Sequence, residues 1–270
     1  MLRQLQDTRG WNSMNRIQEV FRNKKAFIPF ITAGDPDLKV TEELVAAMAE
    51  AGADLIELGI PFSDPVAEGI VIQEADLRAL ASGTTTDKIF DTVRRIRQKT
   101  DVPLTFMTYI NPVFAYGVDK FMKNAADCGI DALIVPDMPF EEREELLPAC
   151  KKYGMTLIYL VAPTSRERAQ AIARESDGFV YCVSSLGVTG VRSEITTNIK
   201  EMVDTVKQGR NVPCAIGFGI STPEQASKMA SQADGVIVGS AIVKMIARYG
   251  INCVEPVCDY VKQMKAAVGV

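Results

Sequence analysis

The chain has 270 residues, 47% of them apolar and 24% charged, enough for a full hydrophobic core in one domain or two. Lys and Arg number 30 against 34 Asp and Glu, a net charge of −4 that leaves no basic footprint for nucleic acid or an anionic membrane. Histidine is absent, which excludes Ser-His and Cys-His nucleophile pairs, imidazole acid–base catalysis and every His-containing metal site.

Residues 1–13 carry no periodic pattern and read as an unstructured N-terminal extension, with a single folded unit over 14–270. Neither a signal-peptide pattern nor an apolar run of about 18 residues occurs. The six cysteines form no C-x-x-C pair, so the reading is a cytoplasmic protein with reduced thiols. Residues 15–24 read as a short amphipathic helix placed to plug the bottom of a barrel. Eight apolar, β-branched runs follow, at 26–32, 54–60, 103–109, 132–136, 156–162, 179–184, 213–218 and 235–238. Segments of helical period separate them, and Ser221-Thr222-Pro223-Glu224 marks one helix start, with proline near the first helical position. Strands of continuous apolar character alternating with helices indicate a parallel sheet covered on its faces. Eight such units predict a (β/α)8 TIM barrel. A doubly wound open sheet is the alternative, but no G-x-G-x-x-G follows the first strand.

The widest strand intervals contain residues 61–83 and 185–197, which makes βα loops 2 and 6 extended. In a barrel both lie at the C-terminal face, where active sites are built. Gly217-Phe218-Gly219-Ile220-Ser221 ends the seventh strand, and Gly239-Ser240 ends the eighth and opens the last helix. Glycines there let backbone N–H groups approach an anion, and loops after strands 7 and 8 are the recurrent phosphate site of such barrels. Gly187-Val188-Thr189-Gly190 in loop 6 is a candidate to close over the same phosphate.

Glu57 interrupts an otherwise apolar strand and faces either the barrel mouth or the helices. A buried glutamate needs a partner or a raised pKa, and either makes it an acid–base candidate, with a structural salt bridge as the alternative. Asp64 and Glu68 lie in loop 2, where solvation is the ordinary fate of a carboxylate. Asp137, after the fourth strand, is read as a candidate cap for the helix that follows it. A Schiff-base aldolase needs a lysine at a strand end, and none is there; Lys244 falls inside the last barrel helix. What remains is metal-free carboxylate chemistry on a phosphorylated substrate.

At these residues the chain resembles the tryptophan synthase alpha subunit family. The matching stretches are Phe27-Ile28-Pro29-Phe30-Ile31-Thr32-Ala33-Gly34-Asp35-Pro36, Glu57-Leu58-Gly59-Ile60-Pro61-Phe62-Ser63-Asp64-Pro65, Gly187-Val188-Thr189-Gly190, Gly217-Phe218-Gly219-Ile220-Ser221 and Gly239-Ser240-Ala241-Ile242-Val243-Lys244. The resemblance implies a lyase of tryptophan biosynthesis that cleaves indole-3-glycerol phosphate to indole and glyceraldehyde 3-phosphate. It implies no cofactor on this chain, with pyridoxal phosphate only on a β subunit partner in an α2β2 heterotetramer. By position, Glu57 matches the family's catalytic glutamate and Glu68 its second carboxylate. Tyr181, Phe30, Met107 and Tyr109 become substrate-binding candidates, and each is equally a core candidate. Gly190, Gly219, Gly239 and Ser240 become the phosphate site, and Asp64 part of the partner surface. Glu68-Gly69-Ile70 departs from the usual Asp-Gly-Pro, lengthening the carboxylate and freeing the backbone. A stand-alone indole-releasing lyase, another phosphate-sugar barrel and an interaction subunit remain alternatives.

Overall fold

Strands that are apolar on both faces must be covered on both, and a closed barrel does this without leaving an edge. The computed structural model describes residues 15–163, 165–183, 199–217 and 219–269. The extension at 1–13, Gly190 and loop 6 therefore lie outside the described residues. Eight parallel strands close in chain order: β1 (Ala26–Thr32), β2 (Ile56–Gly59), β3 (Leu104–Met107), β4 (Ala132–Ile134), β5 (Thr156–Val161), β6 (Val180–Val183), β7 (Cys214–Gly217) and β8 (Gly235–Val238), with β8 paired to β1. The open-sheet alternative is thereby removed.

Thirteen-residue α2 (Leu38–Glu50) shows how the outer layer forms: Asp37 caps its first turn, and Val40, Leu44, Val45 and Met48 make one buried stripe against the strands. The helix after β7 behaves as its sequence suggests, with Thr222 as N-cap, Pro223 in the first turn and Gln225 completing a reciprocal capping box. Among the described residues, no helix is long and apolar enough to cross a membrane.

The N-terminal helix is shorter than the pattern suggests. Only Arg16–Glu19 (α1) is helical, capped by Asn15, and the chain turns until Asn23, in left-handed conformation, ends the segment. It nonetheless plugs the barrel floor: Ile17, Val20 and Phe21 join the interior cluster, and Phe21 lies 5.3 Å from Phe179 between ring centroids.

One device recurs at that floor. Asp54, Asp131 and Asp234 each precede an even-numbered strand and accept a backbone N–H from the first or second residue of the preceding odd one. The bonds run from Phe27 (2.8 Å), Leu104 (2.9 Å) and Cys214 (2.9 Å). Each carboxylate is also ion-paired: Asp54 to Lys24 and Lys265, Asp131 to Arg16 and Arg97, Asp234 to Lys207. No such bond joins β5 and β6 among the described residues.

The segment after β2 is not a plain loop. Residues 61–69 are irregular, but Ile70–Ala81 form helix α3 ahead of the barrel helix α4 (Thr86–Ile96). Ile72, Ala75, Asp76 and Ala79 recur at helical spacing and are buried, which is why this stretch folds as a helix.

Candidate active site

Strand alternation decides which way Glu57 points. Leu55 faces the barrel interior with Ile28, Ile134 and Tyr181, so Glu57, two residues on, faces the same way one layer nearer the C-terminal mouth. It pairs in register with Phe30 on β1 and Thr105 on β3. The residue is 0% exposed, and neither carboxylate oxygen has a hydrogen-bond partner among the described residues. Burial, followed by the nearby Glu68 carboxylate, pushes its pKa up to about 8. The salt-bridge alternative is therefore not what the structure contains.

Glu68 is 6% exposed, so it is no solvated loop residue. Loop 2 folds inward over the mouth and is tied there by Tyr109, whose hydroxyl accepts the Ala67 backbone N–H at 3.0 Å while its ring stacks 5.5 Å from Phe62. The side-chain amide of Gln73 on α3 donates to the Glu68 carbonyl at 2.7 Å, adding a second tether. Burial first, then the Glu68 charge, raises the Tyr109 pKa. Tyr181 is buried on β6, and its hydroxyl is pushed well above the ordinary range by burial, then by Glu57 and Glu68. The Glu68 carboxylate thus bears on Glu57, Tyr109 and Tyr181 alike at the mouth of the barrel.

Phe30 and Met107 reach the pocket from β1 and β3, packing with Ile72 and Ala75 of α3 and with Val243. The Phe30 ring lies between Gly59 and Gly239, where an added Cβ would come within 2.6 and 3.3 Å of it. On the far side, Gly219 takes φ +76°, a left-handed conformation that favours glycine. Gly239 caps α11 (Ser240–Tyr249) with no side-chain hydrogen bond, so the first N–H groups of that helix keep their capacity for an acceptor. Asp64 is exposed at the tip of loop 2, beside Ser63, whose hydroxyl it accepts.

Asp137 departs from expectation. Its carboxylate accepts the Ile110 N–H at 3.0 Å, capping α5 (Ile110–Tyr116) after β3 rather than the helix after its own strand. The reason is geometric: the turns after β3 and β4 adjoin, and Tyr109, at the N-cap of α5, makes no cap bond of its own. Two features went unread in the sequence. Asp76 sits on the inner face of α3, 5% exposed, a carboxylate in an otherwise apolar stripe; that break in the stripe was its only signal. The other is that Val66 in loop 2 and Ile70 and Leu77 on α3 are exposed apolar side chains.

The family profile of the tryptophan synthase alpha chain matches residues 17–269. The chain is 50% identical over 255 residues to the tryptophan synthase alpha chain of Lacticaseibacillus casei, covering 94% of this chain and 96% of that one. Among solved structures, a Mycobacterium tuberculosis tryptophan synthase chain superposes with a TM-score of 0.87 at 34% identity, covering 96% of this chain and 100% of its own. A chain of the Pyrococcus furiosus tryptophan synthase a2b2 complex superposes with a TM-score of 0.83 at 37% identity, covering 90% of this chain and 99% of its own.

Proposed function

Because this chain belongs to the tryptophan synthase alpha chain family, a lyase that cleaves indole-3-glycerol phosphate, we propose that Glu57 is its acid–base residue and Glu68 its charge-stabilising carboxylate. The observation that carries this reading is the Glu57 carboxyl itself, fully buried, without a partner among the described residues and facing a second carboxylate. With a pKa near 8, Glu57 holds a proton at neutral pH. It gives that proton to the indole C3, and the carboxylate so formed takes the 3′-hydroxyl proton as the carbon–carbon bond breaks. Indole and glyceraldehyde 3-phosphate leave, and Glu57 is again protonated. Glu68 receives the indole N–H and stabilises the positive charge that develops on the ring when C3 is protonated.

Phe30 and Met107 would pack against the indole, and Tyr181 would stand beside the reacting carbons. The substrate phosphate would sit at the uncapped start of α11, on backbone N–H groups around Gly239 and Ser240, with Gly219 opposite and Gly190 from loop 6. These proton transfers call on no cofactor of this chain; pyridoxal phosphate is assigned to the β subunit. Asp64 and the exposed Val66, Ile70 and Leu77 would form part of the surface for that subunit in an α2β2 assembly within the cytoplasm. The test is turnover of indole-3-glycerol phosphate by Glu57→Gln. A kcat within about tenfold of the parent would sink the assignment, since proton transfer contributes more than that.

A further inference from the structure

The proposed pair of carboxylates has a third companion. Asp76 belongs to the stripe with which α3 packs on the end of β1, flanked by Ile72, Ala75 and Ala79. It is held there by a clamp two residues on, where Arg78 makes two 2.8 Å bonds to the buried Asp35 just beyond β1. The charged and titratable groups around it are Glu68 in loop 2, Asp35 after β1 and Tyr109 after β3. From α11, the apolar Val243 closes the same side. No cation is among these groups except Arg78, which is committed to Asp35. The Thr32 hydroxyl at the end of β1 reaches the Asp76 carboxyl, and the buried Glu57 carboxyl has no hydrogen-bond partner among the described residues.

Glu57 and Asp76 are both buried and both feel Glu68, and such carboxylates cannot all be charged, because burial penalises each charge and each charge penalises the next. We infer that Asp76 is a positioning residue for the lyase reaction: buried against loop 2, it stays neutral beside Glu68 and so sets no second charge against that carboxylate. Burial first, and the Glu68 charge second, push the Asp76 pKa up to about 8, although the Phe62 backbone N–H and the Thr32 hydroxyl offset part of this. If Asp76 ionised, a second negative charge would bear on Glu68 and push it, with loop 2, away from the substrate. This inference rests on the reading of Glu57 and Glu68 given above.

Asp76→Asn keeps the shape and removes the titration, so it tests the role without opening a cavity. At pH 7 its kcat/KM should stay within about threefold of the parent. Above pH 8 the parent should lose activity through two groups, Glu57 and Asp76, and the variant through one. Its advantage over the parent should therefore grow about tenfold between pH 7 and 9. Melting curves supply a readout independent of activity. The folded parent takes up a proton that the unfolded chain releases, so the melting temperature of Asp76→Asn minus that of the parent should widen from pH 5 to pH 8. A constant difference means that Asp76 is charged in the fold and overturns the inference. A widening difference with an unchanged alkaline limb shows a merely structural acid and also overturns it. Should Glu57→Gln keep full activity, the acid–base reading fails by that assay alone, while the melting curves still report whether Asp76 holds its proton.

Discussion

Tyr181 occupies the space that any side chain at Gly217 would need: a Cβ built there would lie 2.4 Å from the Tyr181 hydroxyl oxygen. The two residues sit on neighbouring strands in parallel register, Tyr181 beside Ala215, so the ring leans across β7 toward the mouth. The absent side chain sets the direction of the phenol. Gly217→Ala should push the ring off its position and lower kcat by tenfold or more, a misplacement near 1 Å being enough for about 10²-fold. Overpacking of this kind costs typically 1–3 kcal/mol, so a lower melting temperature should accompany it. Unchanged kcat in the folded variant would mean that Tyr181 has no part in the reaction.

Glu57 makes a prediction about pH whose sign is fixed by its burial. In the unfolded chain its carboxyl titrates near 4.5, and in the fold near 8. Between those values folding binds a proton, so stability falls as pH rises through the window and levels off above it. Glu57→Gln should remove that loss, melting higher than the parent at pH 8 by a wider margin than at pH 5. Its kcat should meanwhile drop by about 10²–10⁴-fold. A variant both inactive and destabilised at every pH would speak for a structural role instead.

The longer carboxylate of Glu68 is already buried in the pocket, on a loop whose residue 70 is isoleucine and opens α3. Glu68→Asp should leave the group short of the indole N–H and lower kcat/KM. Glu68→Gln keeps the reach and loses the charge, and should lower kcat more than KM. Near-parental kcat/KM in Glu68→Gln would remove it from the chemistry. A gain in Glu68→Asp would show that the loop sits where an aspartate would suit it better.

Tyr109→Phe isolates the tether of loop 2. The variant keeps the ring against Phe62 and strands the Ala67 N–H, a loss of about 1–3 kcal/mol if that group stays buried. Loop 2 should open more often, raising KM for indole-3-glycerol phosphate and the rate of proteolysis within residues 61–69. Unaltered proteolysis would mean that the tether carries no weight.

The proposed partner surface can be tested by titration with a β subunit. Leu77→Glu and Asp64→Ala should weaken complex formation, with the basal cleavage rate of the isolated chain little changed by Leu77→Glu. Undiminished affinity in both variants would place the partner elsewhere.

The barrel was legible because eight largely apolar runs alternate with helical segments, the pattern of a covered parallel sheet with enough strands to close. All eight runs contain strands; the first and last keep their full length, and Asp54, at the start of the second, is taken up by the floor instead. Glu57 was legible for the converse reason, as one charge in an apolar strand. Asp76 was not, because a carboxylate in a segment read as a loop gives no contrast; it becomes conspicuous only once Ile72, Ala75 and Ala79 are seen to share a helix face. The partner of Asp137 was beyond sequence reasoning, since its bond to Ile110 joins two turns that only barrel closure makes adjacent. Tyr109 was read as a pocket wall, and its hydroxyl holds a loop besides, a contact across 42 residues that no local pattern records.

The ion-paired aspartates at the floor divide the barrel unevenly. Strand pairs β1–β2, β3–β4 and β7–β8 are each joined twice, by their ladder and by a carboxylate that grips the neighbouring strand at its root. They behave as three riveted planks. The pair β5–β6 has its ladder alone among the described residues, and β6 is the strand that carries Tyr181 and leads on toward loop 6. Glu57 thus stands on a strand pair pinned at its root and Tyr181 on one that is not, so the two sides of the pocket are held with different firmness.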